Sequence, residues 1–392
     1  MELTPLFLVQ AQFSFVMTVF QVMAVLGLGL AWFLAAWRLA PGPMTPDLAG
    51  RAFSAWLRVF ALVTYAAFGL ALLALVLVGV AWPPLLERLG NVIGPILAAV
   101  AVLAFVVKST FFGVMLYSRH RVSAGLYSLA VFGTAVGYSL VMMGLVSLQS
   151  WLHDSSGATL IDGRFQVYDW GAVIFNPQWA YQSALTAGAA AVVAPGLVLA
   201  VTMGQRWFGN VYQVPARVLR NTSLVGIFGC LAVMWAMDHW AAQSTLHEPA
   251  LLSLLTGQVQ QTWTGLYLVR AIVALLFAQL LLLGASLAWA DQAEHAVQTP
   301  PTGTWIFMLA GPIGLLMWAG LWGFVDLQKG DAFVVGHILY SDLVSQEPVG
   351  LLFFGAALLG LIVMMIAWGV LRLTVQVTVS PVIPVHRSRM LP

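Results

Sequence analysis

The chain has 392 residues, 61% of them hydrophobic and 8% charged. An ordinary soluble domain has roughly 25% charged residues, so a soluble globular protein is excluded. The net charge of +2 comes from basic residues that are not gathered into a stripe, which argues against a nucleic-acid partner. The single cysteine, Cys230, excludes an internal disulfide and any cysteine-held metal or iron–sulfur cluster within the chain.

Crossing the hydrocarbon of a bilayer takes about 20 apolar residues in a helix. The first such run covers 6–37. It is longer than the apolar part of a signal peptide and follows no basic stretch, so it reads as a membrane span. Further runs follow at 52–82, 92–117, 122–148, 179–204, 218–242, 259–289, 304–325 and 349–372. Several exceed the minimum, which predicts tilt or extension beyond the bilayer. The fold expected is therefore all-α: a polytopic bundle of nine transmembrane helices forming a single membrane domain over 1–392. Small residues such as Gly133 and Gly137 read as helix contacts.

Alternate connections differ in basic residues. Arg38, Arg51, Arg58, Arg119, Arg121, Arg206, Arg217, Arg220, Arg372, Arg387 and Arg389 fall on one side, and only Arg88, Arg164 and Lys329 on the other. The positive-inside rule then puts the N-terminus outside and the C-terminus inside. The two longer outer connections are expected at 149–178, which carries Ser, Gly and Asp turn signals, and at 239–258.

Two charges lie inside spans, Lys108 in "AVLAFVVKSTFFGVML" and Arg270 in "GLYLVRAIVALL". A lysine at a span centre costs about 2.5–3.5 kcal/mol on insertion scales, less where its stem snorkels. Lys108 has three readings: it snorkels toward the inner surface, it is paired within a cavity, or it moves protons. Arg270, two to three turns from the outer end of its span, reads most plainly as a packing or lipid-anchoring residue. No phosphate-binding loop, paired metal-ligand motif or nucleophile elbow is present; "GASLA" at 284–288 breaks the last pattern at its final position.

Several stretches, in this order, resemble subunit I of the cytochrome bd quinol oxidases. They are "QAQFSFVMT", "KSTFFGVMLYSRHR", "SWLHDSSG", "FNPQWAYQSALTAG", "GLYLVRAIVALL" and "WGFVDLQKGDAFVVGHIL". The resemblance covers nearly the whole chain, and nine spans with the N-terminus outside is also that family's topology. It implies oxidation of quinol at an outer loop after the sixth span and reduction of oxygen at three haems. Haem iron needs axial His, Met, Cys, Tyr or carboxylate ligands. The resemblance places the family's first-span histidine at Phe20, its fifth-span histidine at Leu185, its seventh-span methionine at Val273 and a third-span glutamate at Val100. All four are apolar here. A family glutamate ligand falls at His337, which can also bind iron, and the seven histidines, His337 included, all lie at span ends or in loops.

A second third-span glutamate of the family falls at Lys108, so the local charge is reversed and a family-like proton relay there is not expected. The cavity reading of Lys108 becomes one of a lysine in a former haem space, bound to carbonyls, a carboxylate or a lipid head group. In the quinol loop the polar candidates are Asp238, His239, Gln243, His247 and Glu248. A His and carboxylate pair can accept quinol protons near neutral pH, and the plain alternative is a solvated loop.

The function expected is that of a membrane-integral subunit of a respiratory electron-transfer complex in a bacterial-type inner membrane. It would hold no haem or at most one, quinone or lipid, and a second membrane subunit resembling bd subunit II or other respiratory subunits. One alternative is a working quinol:oxygen oxidoreductase subunit with atypical haem ligands. Another, of a different class, is an ion or proton transporter using Lys108 and Arg270.

Overall fold

Backbone N–H and C=O groups in hydrocarbon must be satisfied without water, and a helix does this within one segment. The long apolar runs follow that rule. In the computed structural model, which describes residues 5–39, 46–119, 121–153, 155–207, 214, 216–247, 334–335 and 338–339, most of the chain is helical. The order is α1 (Pro5–Leu39), α2 (Pro46–Ala81), α3 (Pro83–Val107), a π-helical turn (Lys108–Phe112), α4 (Gly113–Tyr117) and α5 (Ala124–His153). Then come β1 (Ala158–Ile161), β2 (Arg164–Val167), α6 (Trp170–Ile174), α7 (Trp179–Trp207) and α8 (Ala216–His247). A two-residue pair closes the order, β3 (Val334–Val335) against β4 (Ile338–Leu339), antiparallel.

Among the described residues, six helical stretches are long and apolar enough to cross a membrane. They are Phe15–Leu39, Ala52–Val80, Pro83–Tyr117, Ala124–Leu152, Trp170–Thr202 and Arg217–Ala236. These match the first six predicted spans; the runs at 259–289, 304–325 and 349–372 lie outside the described residues. The third helix starts at Pro83 rather than 92. Proline is preorganised for a first helical turn, and the charged Glu87 and Arg88 had masked that turn from a reading by apolar runs. The sixth helix runs on to His247, five residues beyond the span expected at 218–242 and into the outer connection expected at 239–258. Helical hydrogen bonds are local, so a helix outlasts the apolar run that lies in the membrane.

The outer connection expected at 149–178 holds short elements of its own within the mostly helical fold. Helix α5 continues to His153, and β1 pairs antiparallel with β2 through the turn Asp162-Gly163. Both turn residues have positive φ, 50° and 78°. That is the backbone of a two-residue hairpin whose twist matches its strands, and Asp-Gly is a favoured pair for it. The hairpin caps the Pro83 end of α3: Phe165 is buried with Leu89, Val92, Ile93, Ile96, Trp151 and Val173. Its ring meets Trp151 edge-on at 5.6 Å, and its carbonyl accepts from Asn91 Nδ2 at 3.2 Å. Asp169 then caps α6, its carboxylate accepting from the amides of Gly171 at 2.8 Å and Ala172 at 3.3 Å.

The main core is built by α1, α2, α4, α5, α7 and α8, with Leu30, Leu34, Phe60, Met115, Leu199 and Leu219 at its centre. Helix α1 lies against α2, α5 and α7, and α3 lies against α5. Gly133, Gly137 and Gly144 of α5 form a groove for Phe111, Val107 and Val100 respectively. The small-residue contact expected at Gly133 and Gly137 is thus present. Without hydrophobic driving force inside lipid, such close backbone approach is how helices gain packing energy.

Candidate functional site

Lys108 opens the π-helical turn. Its two following residues turn their hydroxyls back on the helix: Ser109 Oγ donates to the Phe105 carbonyl at 2.8 Å, and Thr110 Oγ1 to the Val106 carbonyl at 2.6 Å. Such back-bonding bends helices, and single π turns recur at functional positions. The half-buried Lys108 ammonium sits over two rings of α2, 4.4 Å from the centroid of Phe68 and 5.1 Å from that of Tyr65. Both lie within the range of a cation–π contact. The Tyr65 ring in turn meets Phe112, which packs on Phe60 in the core.

The direction of this side chain follows from a second contact between the same elements. Near the end of α4, Arg119 Nη1 donates to the Gly50 carbonyl at 3.1 Å and to Ser54 Oγ at 2.6 Å, which fixes a common level for α2 and α4. Tyr65 and Phe68 are 11 and 14 residues beyond Ser54, about 16 and 21 Å along α2. The ring farther from the Arg119 end is the nearer one to the ammonium. Helical Cα–Cβ bonds also tilt toward the N-terminus, here away from that end. The charge is therefore aimed along the span and away from Arg119.

The positions where the resemblance puts the family's first-span and fifth-span histidines and its third-span glutamate are filled by packing. Phe20 packs against two buried clusters, one that includes Val16, Leu70, Leu73 and Leu77 and one that includes Met142 and Ala190. Leu185 packs on the main core, and Val100 fits the space left by Gly144. None of these side chains has a lone pair to give, so none of the three could ligate haem iron. Val273, Glu248, Arg270 and His337 lie outside the described residues, His337 in the interval between β3 and β4. Asp238, His239, Gln243 and His247 fall in the last turns of α8, and their side chains are likewise outside the description.

A polar group that the sequence reading passed over lies where α7 begins. Asn176 is buried and donates from Nδ2 to Ser150 Oγ at 2.8 Å and to the Val173 carbonyl at 3.2 Å. Asn176 Oδ1, Trp179 Nε1, Gln182 Oε1 and Ser183 Oγ are buried without a hydrogen-bond partner among the described residues. The i, i+3, i+4 spacing of Trp179, Gln182 and Ser183 was the signal available, since it puts the three on one face of a helix.

A model of the family described as cytochrome bd terminal oxidase subunit I matches residues 8–272. The chain belongs to that family. It is similar to cytochrome bd ubiquinol oxidase subunit 1 of Bacillus subtilis (strain 168), with 29% identity over 100 residues, 26% of this chain and 21% of that protein. It is also similar to cytochrome bd-II ubiquinol oxidase subunit 1 of Escherichia coli (strain K12), with 24% identity over 187 residues, 46% of this chain and 36% of that protein. The matches thus span well under two thirds of both relatives. The bd oxidase structure from Geobacillus thermodenitrificans shares the fold with a TM-score of 0.82 over 95% of this chain and 98% of that one. At 14% identity this likeness speaks for the cytochrome bd subunit I fold alone.

Proposed function

We propose that this member of the cytochrome bd subunit I family is haem-poor, and serves as a scaffold subunit of a respiratory electron-transfer complex. It holds no haem or at most one, at His337, and it holds a second membrane subunit together with quinone or lipid. The observation that carries this reading is the packing at Phe20, Leu185 and Val100, where apolar side chains stand at positions that the resemblance gives to two haem-ligating histidines and to a glutamate beside a haem. Iron without axial ligands is not retained in a helical bundle. The chain is read as a single nine-span domain in a bacterial-type cytoplasmic membrane, N-terminus outside and C-terminus inside, on the count of basic residues in alternate connections. Asp238, His239, Gln243, His247 and Glu248 are the groups offered for quinone at the outer end of the sixth span.

The test is a reduced-minus-oxidised optical spectrum of the purified protein with haem counted by the pyridine haemochrome. At most one haem per chain and no low-spin b-type signature are expected. Two or more haems per chain overturn the reading.

A further inference from the structure

We propose that Arg38 and Arg119 form a phosphate site at the arginine-rich end of the bundle, taken by the head group of an anionic lipid. The inference rests on the orientation proposed above, which makes that end the inner one, and is independent of the haem count.

Both guanidinium groups are held in place by neutral partners. Arg38 donates from Nε to Ser128 Oγ at 3.1 Å and from Nη2 to the Ala124 carbonyl at 3.4 Å, and its Cζ lies 5.5 Å from the centroid of the Tyr127 ring. Arg119 commits Nη1 to the Gly50 carbonyl and Ser54 Oγ, and its Cζ lies 5.5 Å from the centroid of the Phe53 ring. Tyr127 connects the two residues. Its ring carries Arg38, its hydroxyl donates to the Met115 carbonyl of α4 at 3.1 Å, and the charges of Arg119 and Arg38 both act on it. A guanidinium has five N–H donors; two are committed on each residue, which leaves three on each among the described residues. Carbonyls, hydroxyls and rings orient these charges without neutralising them.

The residues outside the description do not change that balance. Of the 14 Asp and Glu of the chain, only Asp47, Asp291 and Glu294 fall in connections on the side of the arginine-rich set. Arg38, Arg58, Arg119 and Arg121 by themselves outnumber these three acids, and Arg51, Arg206, Arg217, Arg220, Arg372, Arg387 and Arg389 stand on the same side. The positive charge at this end therefore exceeds anything the chain can pair, and the surplus meets anions supplied from outside it.

Level selects the source of those anions. Arg38 is one residue before the end of α1, Arg119 lies two residues beyond α4, and Ala124, which accepts from Arg38, is the first residue of α5. Three spans end at this level, where lipid phosphates lie outside a hydrocarbon core about 30 Å thick. A phosphate presents several acceptor oxygens around one anionic centre, which suits forked donors arriving from two arginines. Anionic lipids are also concentrated in the leaflet that faces basic residues at the inner ends of spans.

The test is native mass spectrometry of the delipidated full chain in an uncharged detergent, titrated in parallel with phosphatidylglycerol, phosphatidylcholine and inorganic phosphate. Phosphatidylglycerol should bind at a concentration about tenfold below that needed for phosphatidylcholine, whose phosphate is compensated by its own cation. Arg38→Gln and Arg119→Gln should each remove most of that preference, and Arg38→Lys and Arg119→Lys should keep part of it, since an ammonium retains the charge without the fork. Arg164→Gln, at the opposite end, should leave it unchanged. The anionic lipid should also raise the unfolding temperature of the wild-type chain and of both Lys variants, a readout that stands even where a Gln variant fails to fold. Equal binding of the two lipids, a preference retained in both Gln variants, or an equal loss in Arg164→Gln overturns the proposal. So does inorganic phosphate that binds as tightly as the lipid, or an acidic polypeptide on these arginines that the lipid does not displace.

Discussion

Replacement of Gly137 by alanine tests whether the α3–α5 seam is held by close backbone approach. A Cβ at Gly137 would lie 2.8 Å from Val107 Cγ1 and closer still to Cγ2, where carbon atoms settle at about 3.5–4.0 Å. Val107 is buried and β-branched, and in a helix such a side chain holds one rotamer, so it cannot swing aside. The helices must then part by about 1 Å, and the overpacking costs about 1–3 kcal/mol. The separation would also loosen Gly133, whose Cβ would lie 2.7 Å from the Phe111 ring, and the Val100 contact at Gly144. Gly94→Ala is the matched control: nothing lies within 4 Å of the added Cβ, so only the higher helix propensity of alanine acts, worth at most about 1 kcal/mol in the stabilising direction. Thermal unfolding of both variants in one detergent should separate them. Val107→Ala combined with Gly137→Ala should recover part of the loss, with an interaction energy of about 0.5–3 kcal/mol. Equal behaviour of Gly137→Ala and Gly94→Ala, or strict additivity in the double variant, would refute the reasoning.

Gly157 has φ 78° and a Cβ there would meet the Asp169 carbonyl and, at 2.9 Å, the Val173 amide; Gly157→Ala should cost about 2 kcal/mol or more and speed limited proteolysis within 154–178. Asp169→Ala removes the α6 cap and should cost about 1 kcal/mol, seen in the same proteolysis assay as a smaller change. Arg164→Ala breaks only the exposed 3.4 Å pair with Glu87 and should shift unfolding by less than about 1 kcal/mol, so a large loss would mean that the hairpin is held by charge rather than by Phe165.

The six spans among the described residues were legible because a helix in lipid is dictated by an unbroken apolar run, a property of consecutive residues. The family was legible from the order of short stretches, and that Phe20, Leu185 and Val100 have no lone pair for a metal is legible from residue identity alone. Gly133 and Gly137 announced a close contact by their spacing. The hairpin was signalled by Asp162-Gly163, yet a reading by hydropathy treated its whole surround as loop, because two four-residue strands that bury mainly Phe165 leave almost no periodic pattern.

What surrounds Phe20 was decided by tertiary packing: it lies against one cluster that includes Leu70 and Leu73 of α2 and another that includes Met142 of α5. The surroundings of Lys108 were decided in the same way. The sequence by itself determined that a charge stands within an apolar run, and nothing in that run shows where the charge points. Its direction depends on Tyr65 and Phe68, some forty residues earlier, and on the Arg119 contacts with Gly50 and Ser54 that set the level of α2 against α4. Hydropathy is summed along the chain, whereas the field at an ammonium is set by the atoms within a few ångströms of it, and those belong to another helix.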